Sequence, residues 1–327
     1  MPTKRLTPWF AGLAAALVLS TTPTQAIVIL DSTWKANGGA PGREAQGFEA
    51  NAALAQQPQF AGAVSIAVSN GAGSGTWIGN DPEGHSYILT AAHLVVDTDE
   101  NNNFVGVEQP KFVTALSDIG GHLVEYPVTK IIVHPKYDVK DWGSPDLALI
   151  VLDRPFAGGG APPMLYCGVD ELGQTGTIVG YGMRGIGSVG EDPAYQGDLG
   201  AGKLAAHNRI DAADFEGGGS LTIDFDPETG NTSDAYGQAN SMPVDKYEGI
   251  PSNGDSGAPL WIETKAGWEI AGVVKGGPAS SYESPAALVR VTGFQDWLHQ
   301  EFPQALFNDG FGSNCNADIP ATLDVGS

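Results

Sequence analysis

The chain has 327 residues, 42% of them hydrophobic, enough for one large domain or two modest ones with packed cores. Acidic residues outnumber basic ones 38 to 16, for a formal net charge of −22. No Lys/Arg cluster is available to meet phosphates, so neither a nucleic-acid partner nor an anionic membrane surface is expected.

The N-terminus reads as a secretory signal. Lys4 and Arg5 form a charged start, Phe10 to Leu19 an apolar stretch, and Thr24-Gln25-Ala26 a small-residue cleavage site. That stretch is shorter than the roughly 20 residues of a membrane-spanning helix, and no other segment reaches that length. Residues 1–26 are therefore expected to be removed, releasing a soluble, secreted protein, extracellular or periplasmic. The alternative is an uncleaved anchor.

Residues 27–59 form an N-terminal segment. It opens with Ile27-Val28-Ile29-Leu30, and Phe48, Ala52 and Leu54 approach helical spacing within residues 44–57. Short strand-like runs follow at 63–68, 76–79, 112–116, 128–133 and 147–152, separated by Gly, Asn, Asp and Pro. Beyond the Pro-rich Ala161-Pro162-Pro163, a second series runs through 176–182, 259–262, 270–274 and 287–291. A helical pattern begins at Thr292 and ends near Phe302-Pro303. The reading is all-β: a first barrel over 60–165, a second barrel with a terminal helix over 166–305, and a tail over 306–327.

Three segments carry chemistry, in a fixed order: Thr90-Ala91-Ala92-His93, Asp146-Leu147-Ala148-Leu149-Ile150, and Gly254-Asp255-Ser256-Gly257. They supply an imidazole, a carboxylate and a hydroxyl, the parts of an activated serine nucleophile. Other serine hydrolases run Ser…Asp…His or Asp…His…Ser, so the order His…Asp…Ser discriminates. Two further stretches support it, Ile132-Val133-His134-Pro135-Lys136-Tyr137 and Val179-Gly180-Tyr181-Gly182. Over roughly residues 60 to 300 the chain resembles the trypsin/chymotrypsin-type serine endopeptidases. In that family the second stretch is a glycine–tryptophan–glycine turn, with Tyr181 here in place of the indole.

The resemblance implies two six-stranded antiparallel β-barrels, an active site in the cleft between them and a C-terminal α-helix. His93, Asp146 and Ser256 are the implied catalytic residues, with the N–H groups of Gly254 and Ser256 as the oxyanion hole. Ile250, Lys275, Gly277 and Ala286 fall on pocket positions, which implies small to medium apolar side chains before the cut. Glu248 is the residue that would reverse that preference if it reached in. Cleavage after Ala26 would free Ile27, whose ammonium is implied to pair with Asp255; the alternative is that Ile27 to Leu30 form an edge strand. Two departures stand out. Leu94 follows the histidine where a cysteine is usual, and Ser252 replaces another common cysteine near the pocket.

Cys167, after the first barrel's last strands, and Cys315, in the tail, are expected to pair as the chain's only two cysteines in an oxidising compartment. No cofactor is required by this chemistry. Asp97, Asp99, Asn101, the Asn103 carbonyl and Glu108 imitate the spacing of a calcium loop, against the alternative of a solvated acidic turn. The expected partner is a protein or peptide substrate, met by a monomer. Two competing readings are a non-catalytic binding protein on the same fold and an esterase using the same triad.

Overall fold

The computed structural model describes residues 27–119, 122–196, 202–215, 219–230, 241–313 and 315. The signal-peptide reading and the tail after Cys315 lie outside them. No helix among the described residues is long and apolar enough to cross a membrane.

The N-terminal segment contributes β1 (Val28–Ile29), α1 (Asp31–Ala36) and α2 (Glu49–Ala55). The next strands are β2 (Ala63–Val68), β3 (Gly71–Asn80) and β4 (Ser86–Thr90). A hairpin of β5 (Val96–Thr98) and β6 (Phe104–Val107) follows, then β7 (Thr114–Ile119), β8 (His122–Val133) and β9 (Ala148–Leu152). Strands β2, β3, β4, β9, β8 and β7 close, in that order, into an antiparallel barrel. Its interior is filled by Val64, Ile66, Ile88, Ile150 and Leu152, the alternate residues that the pleat turns inward. β3 is longer than its sequence suggests, because Gly71 to Gly75 looked like loop. They are strand because β2 pairs with them in register, Val68 with Gly71 through Ala63 with Thr76. Ile66 and Ile88 cover the space a side chain at Gly75 would need.

The second unit begins with β10 (Met164–Tyr166), β11 (Thr175–Gly180), β12 (Gly185–Ile186) and β13 (Gly190–Glu191). It continues through β14 (Leu204–Arg209), β15 (Ala212–Asp214), β16 (Ser220–Asp224) and β17 (Gly249–Ile250). The last elements are β18 (Pro259–Thr264), β19 (Gly267–Gly276), β20 (Pro285–Arg290), α3 (Gln295–Glu301) and β21 (Phe307–Asn308). Nine of these strands form one sheet, a half-barrel rather than a second closed cylinder. The architecture is all-β with a short C-terminal helix, as the sequence implies. α3 stops at Phe302 because the ring of Pro303 disfavours helical backbone in the residue before it.

The segment from 27 to 59 is no loose leader to the first barrel. Ile27 to Leu30 are buried with Trp34 and Phe48 in the core of the second unit. β1 lies between β12 and β17, an interior strand and not an edge. Further ties are the Asn51 amide on the Ala205 carbonyl and the Asp31 carboxylate on Ser188. A separate cluster around Phe60, Tyr181, Trp261, Leu298 and Phe302 joins the two units and α3. Cys167 and Cys315 are joined in a disulfide that holds the residues after β21 to the back of this cluster.

Candidate active site

The three chemical segments meet where the two units face each other. His93 lies in a single 3₁₀ turn, Ala92–Val95, placed by the end of β4. Asp146 precedes β9, whose pairing with β4 brings Ala148 opposite Thr90. Ser256 comes from the turn before β18. The His93 Nε2 lies 2.7 Å from the Ser256 Oγ, and its Nδ1 lies 2.7 Å from Asp146 Oδ2. Asp146 is 2% exposed, and its other oxygen accepts the His93 backbone N–H at 2.8 Å. One carboxylate therefore holds the histidine at both ring and backbone, which fixes the ring's orientation.

The serine turn is built by glycines. Gly254 and Gly257 have φ of +92° and +83°, a region that costs a side-chain-bearing residue strain. Among the described residues, the N–H groups of Gly254 and Ser256 have no protein acceptor. Their neighbours do: Asp255 N–H donates to Ser252 O, and Gly257 N–H to Val274 O. The turn thus satisfies its outer amides internally and leaves two donors for a ligand.

Asp255 is fully buried and accepts from Ile27 N–H at 3.2 Å, Gly182 N–H at 2.8 Å, and both the N–H and hydroxyl of Ser252. Burial pushes its carboxyl up to about 6 despite these bonds. Ile27, 0% exposed, has φ of +70°, a genuine outlier for a β-branched residue.

Ser74 is a component that sequence reasoning missed. Its N–H donates to Ser256 O, its hydroxyl donates to Gly254 O and accepts the Tyr181 N–H, and its carbonyl accepts from Thr90. One residue of the first barrel, through its side chain and its backbone, thereby fastens the serine turn to the strand end that precedes His93. No local signal marks it, since it is one serine between two glycines. Ser74→Ala should cost about 1–3 kcal/mol of stability, because the buried Tyr181 N–H loses its acceptor. Urea unfolding checks this, and an unchanged midpoint would contradict it.

The missing cysteines have other solutions. Leu94 packs over Gly73, where an added Cβ would lie 2.4 Å from Leu94 Cδ2. Ser252 donates to the Asp255 carboxylate, so a hydrogen bond stands where a sulfur bridge is usual.

Lys275, Gly277 and Ala286 line an open cavity of about 810 Å³, together with the loop from Asp141 to Pro145. Neither His93 nor Ser256 lines it; it flanks the triad on the Asp146 side. Ile250 is not at that wall. It pairs with Val28 in β17 and is 0% exposed, because β1 inserts beside it. Glu248 is also turned away, accepting from Asp226 N–H and Val244 N–H, with burial pushing it up to about 8.

The calcium-like residues form a hairpin turn. Asp99 accepts from the backbone of Asn101 and Asn103 and from the Asn103 amide, while Lys140 donates to the Asn103 side chain. Asp97 and Glu108 meet, and their shared hydrogen bond raises Asp97 above the usual carboxylate range. Among the described residues no group of three or more His, Cys, Asp or Glu side chains is placed to hold a metal ion. The Asp99 carboxylate is thus engaged by the N–H groups of its own turn.

His134 belongs to the quoted family stretch, and its backbone N–H donates to Leu147 O, next to Asp146. Burial pushes it down to about 4, and it packs edge-on against Phe294 and Trp297 of the C-terminal region. Compared with known families, the chain matches the sequence model of trypsin over residues 54–298.

Proposed function

The chain belongs to the trypsin family, and on that premise we propose that it is a secreted serine endopeptidase that cuts peptide bonds through an acyl-enzyme. One observation carries this reading: a hydroxyl, an imidazole and a buried carboxylate stand in line at 2.7 Å spacings. In this mechanism His93 takes the Ser256 proton as Oγ attacks the carbonyl carbon. Gly254 and Ser256 N–H receive the oxyanion, worth roughly 3 kcal/mol per donor in comparable sites. His93 then returns the proton to the leaving amine, and water, activated by the same base, releases the acyl group. Asp146 holds the tautomer and stabilises the imidazolium.

Labelling with a fluorophosphonate tests the assignment. Stoichiometric labelling at Ser256 with turnover of peptide substrates is expected. An unlabelled, folded protein would favour a non-catalytic binding protein, and turnover of esters alone would favour an esterase.

The preference before the cut is for small to medium apolar side chains. Ala286 at the cavity wall carries no charge, and Glu248 is engaged with backbone N–H groups. Profiling on a peptide library is expected to show Ala, Val or Leu there. A dominant preference for Arg or Lys would overturn this.

A further inference from the structure

Lys275 is the penultimate residue of β19, the strand that supports the serine turn. Its neighbour Val274 accepts from Gly257 N–H, and Val274 N–H donates to Ala258 O. The Lys275 ammonium crosses to the other unit, where it donates to the Trp142 carbonyl and, at 3.1 Å, to the Ser144 carbonyl. It also stands 4.7 Å from the centre of the Trp142 ring. These carbonyls belong to the irregular loop that ends at Asp146. Among the described residues, the loop's remaining bonds stay within its own unit, between Asp138, Asp141 and Ser144 and from Lys140 to Asn103.

Burial lowers the proton affinity of the half-buried ammonium, and the carboxylates of Asp146 and then Asp141 partly oppose that. Other ionisable groups near this pair are Tyr137, which feels Asp146 and is raised by burial, and Asp255 beside the nucleophile. Lys275 is the cation that Asp146 attracts from β19.

We propose that Lys275 is a positioning residue: it ties the Asp146 loop to the strand behind the serine turn and so holds the His93–Asp146 pair in place against Ser256. This rests on the endopeptidase reading. Two carbonyl bonds to one ammonium fix the distance between the units at the triad, where a small displacement weakens catalysis strongly.

The test compares kcat and KM for the wild type, Lys275→Met, Lys275→Gln and Lys275→Arg. Gln keeps an N–H donor on a shorter, uncharged side chain, so it reports even if the Met variant fails to fold. The Met and Gln variants are expected to lose about tenfold or more in kcat with KM little changed. Arg, which can donate to both carbonyls, is expected to restore most of that loss. A kcat unchanged in Met and Gln, or a loss confined to KM, overturns the proposal, because lining the substrate cavity alone would move KM. A wild type that neither labels with a fluorophosphonate nor hydrolyses peptides would instead remove the reading beneath it.

Discussion

Replacing Ser256 or His93 with Ala is expected to lower kcat by roughly 10⁶ while leaving the fold intact, because nucleophile and base act as one unit. The geometry explains why either loss is nearly complete. Ser256 Oγ is 2.7 Å from the only imidazole that the described residues place against it. Asp146→Asn is expected to cost about 10⁴, by holding the wrong tautomer. Asp146 accepts both the ring and the backbone N–H of His93, and an amide cannot accept both without turning an NH₂ towards one. Steady-state kinetics with circular dichroism on each variant check this. A folded Ser256→Ala protein that hydrolyses peptides at the wild-type rate would end the assignment.

Adding one residue before Ile27 is expected to abolish activity without unfolding the protein. In the uncut chain Ile27 offers Asp255 a neutral amide N–H, and its φ of +70° is strained. Cleavage after Ala26 removes that torsion altogether and replaces the amide with an ammonium, the partner a buried carboxylate needs. The signal peptidase would then be the activating protease.

Stability should report the same event. With Asp255 raised from 3.8 to about 6, the folded uncut chain holds a proton in that window that the unfolded chain releases. Its stability therefore falls as pH rises through the window, by about 3 kcal/mol in all. In the cleaved protein the ammonium lowers the Asp255 carboxyl, so the contribution is present at neutral pH and lost on acidification. Urea midpoints at pH 4 and pH 7 are expected to order oppositely in the extended and mature forms. An extended form that cleaves peptides normally would refute the insertion.

The candidate triad was legible because each member carries a local flag: an apolar strand ending in Thr-Ala-Ala-His, an Asp before an apolar run, and a serine between turn glycines. The closed barrel was legible for a related reason, since short apolar runs such as Ala148–Leu152 are set off by Gly, Asn, Asp and Pro. Elements without such a run were not. β12, β13 and β17 have two residues each, too few for any pattern. They exist because Val28 and Ile29 are inserted between them.

Composition and motif order alone determined the all-β class, the family resemblance and the residues able to supply nucleophile, base and carboxylate. These depend on residue type and short spacing, which the chain displays directly. Tertiary structure alone decided that β1 is an interior strand, that Ser74 holds the serine turn, that Ile250 is core, and that Lys275 reaches the Asp146 loop. Each is a contact between segments far apart in the chain, where nothing in the spacing encodes direction. Asp99 shows the converse: its carboxylate accepts the backbone N–H groups two and four residues on, contacts that short spacing does encode.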